Sequence, residues 1–311
     1  MNQDIGIDIK AAQSFLAEKF KSSIADVLLI GEGAWSRCFG FYHNGEELVV
    51  RFGKYIDDFE KDKHAYRYAT PNLPIPELRD LGTYSDLYYA ISTRVHGVPL
   101  ESINTAQWRA VVPSLAAAME AMRQADISST SGFGGWGPDG NAQRRTWPER
   151  LLTVNEDNPE HRTYGWRKRL AESSPEGATV FTWGYNLLKE VVSDAVPRSL
   201  LHCDLANRNV LVAENKISGI FDWGCSIYGD HLYELAAFTF WSPWHSQLDV
   251  PMLQAELAKR WHDAGYIPKD IEKRLWACYL HLGLEHIAYN AYLSNWQAML
   301  ETANRMKVLA A

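Results

Sequence analysis

Cysteine is scarce and scattered in this chain: Cys38, Cys203, Cys225 and Cys278 are the only four among 311 residues, with no CxxC pair. That spacing excludes the ligand pattern of a structural zinc site and a dense disulfide framework. Long apolar runs are missing too. No stretch approaches the ~20 residues of a membrane span, and Asp4 and Asp8 stand where a signal peptide needs a basic patch and an apolar run. No membrane partner is expected, and a cytoplasmic location is the default. Basic residues are outnumbered, 31 Lys and Arg against 38 Asp and Glu for a net charge of −7. The cationic excess of a general nucleic-acid binder is therefore absent. Internal repeats and low-complexity tracts are lacking as well, which excludes solenoids and disordered tails.

What is present is an ordinary globular composition, 46% hydrophobic. Twelve Trp and fifteen Tyr imply a large aromatic core or an aromatic-walled cleft. The length suggests roughly two domains. Ala12, Phe15, Leu16 and Phe20 at helical spacing predict a helix over 9–20. Then come Val27–Ile30, a Gly31-Glu32-Gly33 turn, Cys38–Tyr42, a His43-Asn44-Gly45 turn and Leu48–Phe52, which read as strands joined by tight turns. A helical stretch over 59–68 ends before Pro71, Pro74 and Pro76, and two more apolar runs cover 78–84 and 87–94. The remainder reads mostly as helix: 106–124 with Pro113 a candidate break, 178–192, and nearly everything after His231. Segments 128–140 and 172–177 read as loops. The character changes near His96-Gly97-Val98-Pro99. An α+β, bilobal architecture follows, with a β-rich N-terminal lobe over 1–96 and a mainly helical C-terminal lobe over 97–311.

The chemistry concentrates in Leu201-His202-Cys203-Asp204-Leu205-Ala206-Asn207-Arg208-Asn209. His202-x-Asp204, four residues, then Asn209 matches the catalytic-loop spacing of kinases. Two short apolar runs flank the polar turn Glu214-Asn215-Lys216 and end at Asp222, which makes a hairpin. A hairpin brings Asn209 and Asp222 side by side, two hard oxygen ligands suited to Mg²⁺ on nucleotide phosphates. Asp204, one short turn away, is placed to accept the proton of an attacking hydroxyl. His202 reads as a brace of the loop.

The N-terminal part has features that fit such a site. Gly31, Gly33 and Ser36 lie in a strand-turn-strand where backbone N–H groups can approach phosphate oxygens, although a plain hairpin turn has the same sequence. Arg51 puts a cation on the third strand, where its planar fork can hold phosphate. Glu60 and Asp62 are both candidates for its acidic partner, and spacing does not choose between them.

These residues resemble the aminoglycoside phosphotransferase family of the protein-kinase-like fold, most nearly its members that act on an aminocyclitol antibiotic. The likeness runs through Phe15–Phe20, Leu73-Pro74-Ile75-Pro76-Glu77, Thr130–Gly134, His202–Leu211, Asp222-Trp223, Tyr228–Ala236 and Phe240–Trp244. The resemblance implies a Mg²⁺-dependent kinase that transfers the γ-phosphoryl group of ATP or GTP to a hydroxyl and so confers antibiotic resistance. Asp204 would be its base, and Asn209 and Asp222 its metal ligands. It also implies that the nucleotide base bonds to the backbone at the lobe connection, around Ser92, Arg94 and Val95. Arg51 departs from the usual Lys of the family, and Glu234 from the Asp common in its G-D-x-x-x-D-L-A pattern.

Only Trp223–Tyr228 separate Asp222 from Gly229-Asp230 and the next helical pattern. That leaves little room for the peptide-docking segment of a protein kinase, so a small polycationic or polyhydroxylated acceptor is expected, bound by a monomer. Candidate acceptor ligands are Asn207, Glu234, Trp241, Trp244, His245, Asp249, Glu285 and Asn290, with carboxylates for ammonium groups and aromatic faces for sugar rings. Core packing competes as the role of the Trp residues, and a structural role as that of Glu285. Asp230 reads as a buried acid bracing the catalytic loop. Cys203 and Cys225 flank the site, where redox sensitivity is open to them but small-residue packing is the preferred reading. Two alternatives stay open: a kinase of an amino alcohol or sugar on the same scaffold, and a ligand-binding protein without turnover.

Overall fold

The structure, a computed structural model, describes residues 6–33, 35–206 and 208–310. Asp8 accepts the Ala11 N–H at 2.8 Å and so caps helix α1 (Ile9–Phe20). Strands β1 (Leu28–Glu32), β2 (Ser36–His43) and β3 (Glu46–Gly53) follow, then helix α2 (Ile56–Ala65) and strands β4 (Leu78–Tyr84) and β5 (Leu87–Thr93). They form one antiparallel sheet in the order β1-β2-β3-β5-β4. Asn44 and Gly45 both take positive φ, 52° and 82°, as a two-residue hairpin turn requires. One face of the sheet buries Phe39, Phe41, Val50, Phe52 and Ile91 against Phe15 and Leu16 of α1.

The remaining chain runs β6 (Val98–Pro99), α3 (Thr105–Arg123), β7 (Phe133–Trp136), β8 (Ala142–Arg144), α4 (Trp147–Leu152), α5 (Trp166–Ser173) and α6 (Pro175–Val191). Then come β9 (Ser199–Leu201), β10 (Val210–Ala213), β11 (Lys216–Ile220), β12 (Ile227–Gly229), α7 (Leu232–Trp241), α8 (Val250–Asp263), α9 (Ile271–Leu293) and α10 (Trp296–Ala310). Two small sheets, β11-β10-β6 and β8-β7-β12-β9, lie among these helices. The bilobal, kinase-like plan expected from the sequence is the one observed. Its two halves are not sealed off from each other. Ala65, Leu73 and Ile75, although N-terminal in sequence, belong to the same core as Trp108, Leu200 and Val210.

Four local expectations change. α2 starts at Ile56, earlier than the apolar pattern suggested, and its end passes into a 3₁₀ turn over Tyr66–Tyr68. Pro113 does not break α3, because Trp108, Val111, Val112 and Leu115 hold that helix in the core while Pro113 faces outward. Segment 128–140 is not all loop: Phe133–Trp136 pairs with β8 and β12. The break at 172–177 shrinks to Ser174, whose side chain caps α6 by accepting the Gly177 N–H at 3.2 Å. Among the described residues no helix is long and apolar enough to cross a membrane.

Candidate active site

β9 delivers the chain to His202, which is fully buried. Its Nδ1 accepts the Asp204 N–H at 3.2 Å, so Nε2 carries the proton and donates to the Phe221 carbonyl at 3.0 Å. Burial pushes its pKa down to about 4, against the pull of that carbonyl. His202 is thus a neutral strut between the catalytic loop and the turn before Asp222. Cys203 has φ 68°, strained for a non-glycine residue. Glu234 holds this kink: one oxygen accepts the N–H groups of His202 and Cys203 at 2.5 and 2.8 Å.

Asp204 and Asn209 face each other across the loop. The Asn209 amide donates to Asp204 Oδ2 at 2.8 Å and to its carbonyl at 3.2 Å. That fixes the carboxylate, and among the described residues no hydrogen bond is made to Asn209 Oδ1, which can serve as an oxygen ligand. The Phe221 N–H bonds to the Asn209 carbonyl at 3.0 Å, tying the two ends of the β10–β11 hairpin together. Asp222 then leaves the hairpin in a left-handed conformation (φ 62°, ψ 63°). Asn209 and Asp222 both line one cleft. Two side-chain oxygens leave the remaining coordination positions to phosphate and water, the habit of Mg²⁺. Among the described residues no group of three or more His, Cys, Asp or Glu forms a protein-only cage. The donor set therefore fits a nucleotide-borne Mg²⁺.

Arg51 of β3 donates to Asp62 and sits 3.2 Å from Asp222. Asp62 of α2, not Glu60, is therefore its acidic partner. Burial opposes the charge on Arg51, but Asp62 and Asp222 more than offset it and its pKa rises. Burial raises the Asp62 pKa to about 6; Arg51 and the Trp223 N–H, 2.8 Å away, keep it ionised at neutral pH. Sequence reasoning passed over the neighbouring Lys61, whose Nζ donates to the Gly224 and Ser226 carbonyls at 2.8 and 3.2 Å.

Between the lobes lies a cleft of about 370 Å³. Ile30, Val49, Leu78 and Ala90 wall it from the sheet, and Leu211 and Phe221 from the hairpin. Gly31, Gly33 and Ser36 line its outer end, where the Gly33 N–H bonds to the Ser36 carbonyl at 2.9 Å and closes the turn. Ser92 and Val95 line its inner edge. The Arg94 side chain does not: it pairs with Glu47 at 3.1 Å, outside the cleft. A flat apolar slot leading to two glycines, a cation and two oxygen donors has the layout of a nucleotide site.

On the acceptor side, two expectations need correction. Glu234 is 2% exposed and its Oε1 is bonded under the catalytic loop, so it acts as a brace rather than as an acceptor ligand; burial raises its pKa to about 7 against the two N–H bonds. Asp230 is buried but braces a different element: it pairs with Arg274 of α9 at 2.8 and 2.5 Å and caps the Leu232 N–H at 3.0 Å. Glu234 has the loop-bracing role assigned to Asp230. Asp249 is the cap of α8, accepting the Met252 N–H at 3.1 Å. Asn207 lies outside the described residues. Glu285 remains accessible, with its side chain 45% exposed and Arg150 3.6 Å away. The Tyr233 hydroxyl reaches it at 3.4 Å and also bonds His281 at 2.8 Å. Trp241 is half-buried and packs edge-on to His286 and against Trp244, which is exposed; His245 is half-buried beyond them. Asn290, also half-buried, donates to the His286 carbonyl at 2.9 Å. His281 and Glu285 are four apart on α9 and so share a face, a signal present in the sequence. Nothing local marks Arg150, which arrives from a different helix.

Comparison with known proteins gives the chain its relatives. Residues 29–268 match the phosphotransferase enzyme family. The chain is 35% identical over 236 residues to hygromycin-B 4-O-kinase of Escherichia coli, covering 75% of this chain and 67% of that protein. The crystal structure of a thermostable variant of aminoglycoside phosphotransferase APH(4)-Ia, in ternary complex with AMP-PNP and hygromycin B, superposes with a TM-score of 0.81. It is 31% identical, and the match covers 96% of this chain and 98% of that one. Spectinomycin phosphotransferase, at 15% identity and a TM-score of 0.59 over 97% of this chain and 94% of that one, shares the fold.

Proposed function

Because the chain belongs to the phosphotransferase enzyme family, we propose that it transfers the γ-phosphoryl group of ATP to a hydroxyl of hygromycin B or a closely related aminocyclitol, and so confers resistance to it. The observation that carries this reading is Asp204 clamped by Asn209, which itself lines the cleft together with Asp222 and its partner Arg51. The similarity to hygromycin-B 4-O-kinase and to the hygromycin B complexes supports the acceptor, and AMP-PNP in one of those complexes supports an adenine nucleotide as donor.

In this reading the apolar slot takes the base, with Ser92 and Val95 beside it, while Gly31, Gly33, Ser36 and Arg51 lie along the phosphates. Asn209 Oδ1 and the Asp222 carboxylate hold Mg²⁺, which neutralises phosphate charge when bound. Asp204 orients the acceptor hydroxyl and takes its proton as the new O–P bond forms and the bond to the β-phosphate oxygen breaks. Asn209 holds Asp204 Oδ2 and so fixes the orientation of the carboxylate that is to meet the hydroxyl. Catalysis is positioning plus charge neutralisation. Glu285, held by Arg150 and Tyr233, receives an ammonium group, and Trp241 and His245 flank the sugar rings. The lobes divide at residues 96 and 97. Donor and acceptor sites are both built from one chain, so the enzyme acts as a monomer, in the cytoplasm where ATP is supplied.

A panel of aminoglycosides, amino alcohols and sugars, read by nucleotide consumption and product mass with ATP and with GTP, tests the proposal. Hygromycin B should gain one phosphate. Asp204→Ala should lower kcat by about 10²–10⁴-fold with nucleotide affinity little changed. Turnover with only the amino alcohols or sugars would reject the acceptor assignment, and an unimpaired Asp204→Ala enzyme would reject the base.

A further inference from the structure

Lys61 stands one residue before the partner of Arg51, yet it binds no phosphate-facing group. Its ammonium crosses from α2 to the turn after Asp222 and donates to the Gly224 and Ser226 carbonyls, over 160 residues away in sequence. Its other surroundings are the face of Trp136, 5.6 Å to the ring centroid, and Gly135 of β7, where a Cβ would lie 3.3 Å from Nζ. The bonded partners of this half-buried cation are thus carbonyl oxygens and an aromatic face, with the Asp58 and Asp57 carboxylates acting on it at longer range. Placing an ammonium there is unfavourable for stability unless it is well bonded.

Asp62, the next residue, accepts the Trp223 N–H at 2.8 Å, and Asp58, one turn earlier, packs so closely on Gly224 that a Cβ there would lie 2.9 Å from its carboxylate. Three residues of α2 therefore grip the four residues that follow Asp222, and of the three it is Lys61 that bonds to their carbonyls. Asp222 itself sits in the left-handed region (φ 62°), a conformation that a non-glycine residue keeps only when its surroundings enforce it.

We propose that Lys61 is a positioning residue that sets the Asp222 carboxylate for Mg²⁺, making metal binding depend on the docking of α2 against the 222–226 turn. This rests on the reading of Asp222 as a metal ligand. Binding of AMP-PNP by the full chain, measured calorimetrically with and without Mg²⁺, tests it together with amide exchange across residues 223–226. Lys61→Met should reduce the Mg²⁺-dependent gain in AMP-PNP affinity by about 10–100-fold, leave the metal-free affinity unchanged and speed exchange in the turn. Lys61→Arg, which keeps the donors, should restore most of the gain. If Lys61→Met does not fold, Gly135→Ala decides: by crowding Nζ from the exposed side it should reduce the gain in the same direction. A full Mg²⁺ gain in Lys61→Met, or in Gly135→Ala where it stands in, overturns the role of Lys61. A wild-type protein with no Mg²⁺ gain overturns instead the reading of Asp222.

Discussion

Glu234 places one carboxylate oxygen on two adjacent backbone N–H groups, and the strained Cys203 is one of them. Removing that oxygen orphans both donors inside the core. Glu234→Leu should therefore cost about 2–6 kcal/mol, from roughly 1–3 kcal/mol for each unsatisfied group, measured by denaturant unfolding. Glu234→Gln keeps an acceptor oxygen and should leave the acceptor KM unchanged; a large rise in that KM would restore Glu234 to the acceptor site. Sequence pattern alone could not separate Glu234 from Glu285. Both are carboxylates downstream of the catalytic loop, and only their burial, 2% for Glu234 against a side chain 45% exposed for Glu285, tells brace from ligand.

At the scale of elements, α2 and the β7–β8 hairpin do more than their sequences suggest. α2 carries the Arg51 partner, the grip on the 222–226 turn, and Asp57 and Asp58, which Arg162 reaches from the other lobe at 2.8 and 3.0 Å. The β7–β8 hairpin depends on Gly132, whose φ is 76° and where a Cβ would lie 2.0 Å from the Ala142 carbonyl oxygen. Gly132→Ala should destabilise the protein by at least about 2 kcal/mol, since the left-handed strain and the overlap act together. A midpoint in urea equal to wild type would contradict that packing. Segment 128–140 was unreadable as strand because its four strand residues, Phe133-Gly134-Gly135-Trp136, include two glycines and show no alternation. Pairing with β8 and β12, both far from regular strand patterns, makes the strand.

For the whole molecule, buried titratable groups set the response to acid. Burial lowers His202 and His231 to about 4 and His281 to about 3 from 6.5. Between those values and 6.5 the unfolded chain binds more protons than the folded one, so their contribution is present above about pH 6.5 and is lost as pH falls. Glu234 and Asp62, raised to about 7 and about 6, act in the opposite sense: their contribution is present below the unfolded carboxyl values and lost as pH rises through 6–7. Three histidines outweigh two carboxyls, so thermal stability should fall from pH 6.5 towards pH 4. Melting temperatures across that range check it, and a flat or rising profile in acid would contradict the burial assigned to the histidines. None of these shifts is legible in the sequence, where His202, His231 and His281 carry no mark of depth.

Local order along the chain follows from the residues alone: the helix over 9–20, the hairpin turns at Asn44-Gly45 and Glu214-Asn215, and the run from His202 to Asp222. Periodicity, turn chemistry and short-range spacing act within a few residues, so they can be read directly. Because a hairpin couples its own ends, even the proximity of Asn209 and Asp222 was a local fact. Tertiary structure decided what depends on distant segments meeting. It chose Asp62 over Glu60 for Arg51, put Lys61 on carbonyls more than 160 residues away, turned Glu234 inward under the loop, and gave Asp230 to Arg274. The scarcity of cysteine fits the same division. With no disulfide framework or zinc cluster to join remote parts, buried ion pairs and packed aromatic cores make those connections, and neither leaves a spacing that a sequence can display.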